Sequence, residues 1–442
     1  MVDPRRHAIV VGGSIAGLLA ARVLSDHFER VTILDRDRLP LEEAPRRGVP
    51  QARHAHGLLG RGREILCGLF PDLDTELAVA GISLLHAGRE VGWLYPCGWQ
   101  KPFSDAVWLC APPRDLLESL LRRRVRAIPQ VEFVEETDVR GLIATPDGRR
   151  VQGVKISNAA GAERSLLDAD LVVDASGRGS RAPRWLEEIG AGPTPETIVD
   201  AHVGYASRLY AGVASFPHGW QALFLRGTRR VAGIFPQGNG HHLITLMGYA
   251  GDHPSGEESE FLRFAASVND CGVIADALRG ATAVSPIHKS HSTVSRRRHF
   301  ERTKRRPQGF LCLGDAACAL NPVYAQGITV AALCVQSLAS LLENRTVVQV
   351  CEVFPSRLNE VISFPWQLAA LEDFRHPTTR GQRPWFSGLT QRYTEKVFAL
   401  ATQEAEIAAR LVKVMQMASP PRSLVTPGLL WQVLNFSTRP KS

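Results

Sequence analysis

Lysine is scarce in this chain: only seven of its 52 basic residues are Lys, and the rest are Arg. The net charge of +8 is spread along the sequence without a recognition motif, so it gives no reason to expect a nucleic-acid partner and fits arginine-biased codon usage. Eight cysteines form no C-x-x-C pair and have no His-rich spacing around them, which argues against zinc or any other metal. Several sit in apolar segments such as "FLCLGDAACAL", as reduced buried thiols of a cytoplasmic protein do. No run of 18 apolar residues is free of charge, so no membrane span is expected. The early apolar run Ile9 to Leu24 is interrupted by "GGS" and followed by Asp26, which argues against a secretion signal. What remains, 44% hydrophobic and 22% charged over 442 residues, is a globular composition with room for two or three domains and a large core.

The start of the chain carries the first positive signal. "HAIVV" reads as a buried strand, "GGSIAG" as a Gly-rich turn, "LLAARVLSDHF" as a helix and "RVTILD" as a second strand. Asp35 lies 18 positions after Gly17, near the roughly 20-residue offset at which a carboxylate takes the ribose of a dinucleotide. The G-x-G-x-x-G pattern maps to Gly12, Ser14 and Gly17, with Gly13 and Ala16 between and Arg36 after the acid. Ser14 stands where a second Gly is usual, and Gly13 can supply that freedom instead.

Two later segments resemble further pieces of the same site. "PPRDLLESLLRRRV" is expected to be a helix with Arg114 at its start, followed by one strand "VEFVEETDVRGLIA" that includes Val139, a "PDG" hairpin and "VQGVKI". "DADLVVDASGRGS" is a buried strand delivering Asp174, Gly177 and Ser180 at its C-terminal end, the edge where open α/β sheets bind ligands. In "GFLCLGDAACALNPVYAQGITVAALCVQSLASLL" a strand from Phe310 to Leu313 ends in Gly314 and Asp315. Its loop carries Asn321, Pro322 and Gln326, and Gly327 and Ile328 open a long apolar helix whose free N–H groups suit an anionic edge.

Together, "GGSIAG", "DASGRGS" and "GDAACALNPVYAQG" resemble the motifs of the group A flavin monooxygenases, the fold of para-hydroxybenzoate hydroxylase. "RRGVPQARHAHGLLGRGREIL", "YPCGWQ", "SHSTVSRRRHFER" and "NPVYAQG" are similar, more narrowly, to the actinobacterial flavin epoxidases of polyether biosynthesis. The resemblance implies an α/β fold: a Rossmann-type, glutathione-reductase-like FAD-binding domain, an inserted antiparallel substrate domain and a C-terminal helical region. The implied FAD-binding parts are 1–75, 106–190 and 291–343, the substrate parts 76–105 and 191–290, and the helical region 344–442. It implies FAD as cofactor, NADPH or NADH as reductant, and transfer of one oxygen atom from O2, through a flavin C4a-hydroperoxide, to an unsaturated apolar natural-product intermediate. Gly12, Ser14 and Gly17 are implied at the pyrophosphate, Asp35 at the adenosine ribose, and Arg114 at the diphosphate or ribityl side. Val139 is implied at the adenine, Asp315 at the ribityl chain, and Pro322 to Gly327 at the isoalloxazine, with Pro322 and Gln326 near the ring. The family's Ala-Asp-Gly triplet is here Ala175-Ser176-Gly177, and Ala325 stands where Gly usually precedes Gln326.

Other residues stay open between roles. Arg53 and His56 in "QARHAHGLLGRG" suit either a loop beside flavin and substrate or a satisfied surface loop. Arg296, Arg297 and Arg298 suit either a reductant phosphate or, preferably, a solvated basic face. The antiparallel strands expected between Asp200 and Tyr249 would roof a pocket that Trp93, Tyr95, Trp99, Tyr205, Tyr210, Trp220 and Phe235 could line. His202, His241 and His242 give no catalytic base. "QRYTEKVFALATQEAEIAARLVKVMQM" reads as one long amphipathic helical run. Rival functions are a flavin reductase or dehydrogenase of polyprenyl-like substrates and a non-redox FAD-bound cyclase; a halogenase is disfavoured because no W-x-W-x-I-P segment occurs. The expected partners are a small-molecule polyene or aromatic substrate and O2, with a monomer or homodimer both allowed.

Overall fold

The computed structural model describes residues 5–46, 48–158, 161–166, 168–268, 272–291 and 293–436. Arg47, Cys271 and Ser292, noted above, lie outside them.

Five short apolar strands form a parallel sheet in the order Phe310–Cys312, Leu171–Asp174, His7–Val11, Arg30–Leu34 and Val131–Val134. His7–Val11, Leu171–Asp174 and Phe310–Cys312 are buried throughout, as central parallel strands covered on both faces must be. The helix Ile15–Leu24 and the long helix Gly327–Asn344 pack together over the sheet. Gly12, Ala175 and Gly314 therefore all emerge near one edge of the sheet, at the C-terminal ends of three adjacent strands.

The expected single strand "VEFVEETDVRGLIA" is two strands. Val131–Val134 pairs with Arg30–Leu34, whereas Thr137–Ala144 pairs with Val151–Asn158 in a separate antiparallel sheet. The chain must change partners between them, and it does so at Glu136, which takes a left-handed φ of 52°. The Thr137 N–H donates to Asp35 O at 2.9 Å and fixes the break beside the second strand.

A second layer is an eight-stranded sheet, mostly antiparallel, built on Gly204–Ala211, His241–Gly248, Arg230–Pro236, Ala222–Arg226 and Val91–Tyr95. Alternation along its strands separates two faces. Ala206, Leu223, Leu225, Ile234 and Leu246 join one hydrophobic cluster on the outer face. Tyr205, Phe224, Phe235 and Met247 point the other way, into a cavity.

The C-terminal amphipathic run is likewise two helices, Ser387–Ala401 and Ala405–Met415. They pack against each other, so Val397 and Leu400 share a core with Ile407, Leu411 and Val412. One straight helix could not fold its apolar stripe onto itself. Arg297 and Arg298 also differ from the expected solvated face: both are buried. Arg297 donates to Asn359 Oδ1 at 2.5 Å, and Arg298 to Glu196 Oε1 at 3.0 Å and Ala316 O at 2.7 Å, so desolvation is offset by charge-assisted bonds. Gly327–Asn344 is long and apolar enough to cross a membrane by length and composition, but it carries Glu343 and half of it is buried inside the protein, where it serves as a core helix.

Candidate active site

A single cavity of about 1070 Å³ runs from the Gly-rich turn to the eight-stranded sheet and the C-terminal helices. The wall on the side of the Gly-rich turn includes Gly12, Ser14, Ala16, Asp35, Arg36, Arg114, Val139, Gly177, Asp315, Pro322, Gln326, Gly327 and Ile328. All were singled out from sequence, and the structure brings them together.

The glycines are explained by close approaches. Gly12 has φ +104°, and a Cβ there would meet Ala175 O at 2.6 Å. A Cβ on Gly17 would lie 1.7 Å from Gly12 O, so only glycine lets the helix start against the strand. Ser14 in place of glycine has its own reason: its Oγ donates to Glu118 Oε2 at 2.6 Å and accepts from Arg114 Nη2 at 3.0 Å. That ties the turn to the helix Arg114–Arg126. Burial opposes ionisation of Glu118, but Arg114 and Arg46 hold its pKa below the usual range. Glu118 and Arg46 were not anticipated; the signal was an acid embedded in the apolar face of "DLLESLL", one turn after Arg114.

Asp35 accepts from Gly13 N at 2.6 Å and Asp37 N at 2.8 Å, and burial raises its pKa. Asp315 is different. It has no hydrogen-bond or ion-pair partner among the described residues; burial raises its pKa, opposed by the charges of Arg178, Arg114 and Arg298. Gln326, 1% exposed, has both side-chain amide atoms without a partner among the described residues. Buried polar groups are normally satisfied, so this part of the wall is built for a guest with donors and acceptors. Ala325 takes the left-handed φ of 53° that glycine favours. Gly57 packs against it, and a Cβ there would approach Ala325 Cβ to 3.0 Å, so the alanine methyl group is housed by a neighbouring glycine.

Several singled-out residues stand elsewhere. Asp174 is fully buried behind the wall, its oxygens taken by Ser176 N at 2.9 Å and Ser180 Oγ at 2.5 Å. It shapes the loop and does not line the cavity. Gly13, Gly17 and Gly314 shape the turn and edge from beneath. Arg53 points away and reaches His288 Nδ1 at 3.3 Å, while His56 lines the cavity, with Nδ1 at 2.8 Å from His54 O. Burial pushes the His56 pKa down to about 3, so it is neutral at ordinary pH. Of the aromatics, Trp93, Tyr95, Tyr205 and Phe235 face the cavity. Trp99 and Trp220 pack on each other at 4.5 Å on the outer face, and Tyr210 joins that same outer cluster. His202, His241 and His242 are off the wall.

The far chamber is apolar, with Phe398, Leu411, Val414, Met415 and Leu424 beside those aromatics. It carries one buried ion pair that sequence reading missed, Arg226 with Glu372, which also takes Arg375 at 2.7 Å. No metal-binding cluster of His, Cys, Asp or Glu occurs among the described residues.

Comparison with known proteins decides the family. The chain is 32% identical over 415 residues to Protein Rv3254 of Mycobacterium tuberculosis (strain ATCC 25618 / H37Rv), covering 87% of this chain and 84% of that one. The chain belongs to the family of Protein Rv3254. It is also 26% identical over 348 residues to squalene epoxidase 4 of Arabidopsis thaliana, covering 77% of this chain and 63% of that protein. No protein-family profile matches. Among solved structures it resembles the myxobacterial chondrochloren halogenase CndH, with TM-score 0.65 and 17% identity over 95% of this chain and 99% of that one. It resembles p-nitrophenol 4-monooxygenase PnpA of Pseudomonas putida DLL-E4 equally well, with TM-score 0.63 and 16% identity over 94% and 99%. The fold is thus the one shared by FAD-dependent monooxygenases and halogenases.

Proposed function

We propose that this protein is an FAD-dependent monooxygenase that inserts one oxygen atom of O2, by epoxidation or hydroxylation, into an unsaturated apolar molecule, with NADPH or NADH as transient reductant. The observation that carries this reading is the continuity of the cavity: a dinucleotide cradle opens directly into an apolar chamber at the loop Pro322–Gln326. Similarity to a squalene epoxidase supports an apolar unsaturated substrate. In this reading 1–75, 106–190 and 291–343 make the cofactor-binding part, 76–105 and 191–290 the substrate part, and 344–442 closes the chamber.

The residues present fit FAD. Gly12 leaves the backbone bare where a diphosphate would rest, Arg114 offers it a cation, and Asp35 offers the ribose a carboxylate. Asp315 offers a carboxylate and Gln326 two amide atoms without a partner among the described residues, beside the start of the long helix. Bound FAD supplies the electrons that activate dioxygen. The chain's own work is to orient substrate and ring, keep water out of the chamber, and place the positive end of the helix Gly327–Asn344 where negative charge develops. No acid–base triad is required, and His56, half-buried and neutral, adds no charge to the chamber.

The test is made on purified protein. A bound-flavin spectrum is expected, with NADPH or NADH oxidation and O2 uptake both stimulated by an apolar alkene. Reductant oxidation without O2 uptake would turn the reading toward a reductase, and turnover needing neither toward a cyclase.

A further inference from the structure

The segment Arg53–Gly57 lies between the flavin-side loop and the eight-stranded sheet, and its residue His54 is 6% exposed. The mechanism above does not use it. His54 Nδ1 lies 2.9 Å from Ser207 Oγ, and Ser207 Oγ lies 2.7 Å from Thr245 Oγ1. Thr245 Oγ1 also accepts the Ala55 N–H at 3.3 Å. Both hydroxyls are buried.

The direction of this chain follows from counting protons. A backbone N–H only donates, so Thr245 Oγ1 is an acceptor at that end. The Thr245 hydroxyl hydrogen then has one acceptor in reach among the described residues, Ser207 Oγ. Ser207 in turn donates to His54 Nδ1. The reverse direction leaves a buried hydroxyl hydrogen with no acceptor, which is costly. Nδ1 therefore accepts, and the neutral imidazole carries its proton on Nε2. Burial, then the charges of His288 and Arg53, lowers the His54 pKa to about 4, so the neutral form prevails. Nε2 has no partner among the described residues, and the ring stands edge-on to Tyr205 at 4.3 Å on the cavity wall.

We propose that His54 is a fixed hydrogen-bond donor whose Nε2–H takes a carbonyl or ether oxygen of the bound substrate and so orients it in the chamber. Resting on the reading of the chamber as a substrate site, this narrows the substrate class to apolar molecules that carry such an acceptor. Neighbouring Tyr205, Phe224, Phe235 and Met247 give the rest of the molecule an apolar bed. A donor in those surroundings favours an oxygen-bearing ligand over its hydrocarbon analogue and disfavours a cation.

Two measurements on the flavin-loaded protein test it. In imidazole-nitrogen NMR, His54 is expected as the Nε2-protonated tautomer, and Thr245→Val, which removes the start of the chain, should mix in the Nδ1-protonated form. A wild type protonated on Nδ1 would overturn the proposal whatever the variants do. In binding followed by tryptophan fluorescence, a long-chain methyl ketone should bind about tenfold more tightly than the alkane of equal length. His54→Phe should abolish that preference while leaving the alkane unchanged, and His54→Gln, which keeps a donor, should restore part of it. Equal binding of the two probes to wild type, or a preference that survives in His54→Phe, would overturn it. If neither probe binds wild type, the substrate-chamber reading itself falls, a result distinct from equal binding.

Discussion

The two ends of the cavity are built by different means. The glycine-rich end is made largely of backbone: Gly12, Gly17 and Gly314 stand where a side chain would collide, and most of its polar atoms come from residues close to them in sequence, with Arg114 brought in by a separate helix. The chamber end is made of side chains drawn from Val91–Tyr95, three strands between Ala222 and Gly248, and helices beyond Val347. Local spacing encodes the first, whereas the second depends on long-range packing, so substitutions at the two ends should fail differently.

The largest effect is expected at the glycine-rich end. Gly17→Ala drives a Cβ into backbone at 1.7 Å, and should cost on the order of 4 kcal/mol in urea unfolding together with the bound flavin. A stable variant with full flavin content would show that the helix start is not fixed by that contact. In the chamber, Arg226→Met strips Glu372 of one of its two cations, and about 3 kcal/mol of stability should be lost while flavin content per folded protein is kept. Loss of flavin instead would mean the two ends are not separable.

Asp315→Ala sharpens the comparison from the other side. It removes no hydrogen bond or ion pair among the described residues and relieves a desolvated carboxylate, so thermal stability of the flavin-free form should not fall, while FAD affinity falls by about 1.5–3 kcal/mol. Flavin titration of the two proteins reads this directly. A pH dependence gives the smallest expected effect. His54 and His376, buried, and His56, half-buried, are held neutral with pKa values of about 4, 4 and 3. Their unfolded values near 6.5 mean that the unfolded chain binds more protons below that pH. Their contribution is full above pH 6.5 and is lost as pH falls toward 4. Asp373, pushed up to about 8 by burial, works the other way: its contribution is full below about 3.8 and is lost as pH rises toward 8. Melting temperature followed from pH 4 to 9 should therefore pass through a maximum, and Asp373→Asn should steepen the rise on the acid side and flatten the fall on the alkaline side.

Most of the glycine-rich wall was legible in the sequence as a set of residues that the fold brings together. Gly12, Gly17 and Asp35 stand in one βαβ unit, and Asp315 to Ile328 in one strand, loop and helix, so spacing alone placed them. Asp174 misled because a carboxylate at a strand's C-terminal end serves equally well to brace Ser176 and Ser180. The chain at Glu136 and the run after Gln391 were read as continuous because periodicity does not register a change of partner. His54, Ser207 and Thr245 come from a loop and two strands up to 191 positions apart, and no local pattern joins them. The same is true of Arg226 and Glu372.

The central claim is that a cofactor bound in the cradle delivers an oxygen atom from O2 into the neighbouring chamber. It is tested most directly by turning over an apolar alkene probe with isotope-labelled dioxygen and weighing the product by mass spectrometry. One labelled oxygen atom per product molecule, with none taken from labelled water, is the result predicted. A product that is reduced, rearranged without oxygen, or labelled from water would contradict it.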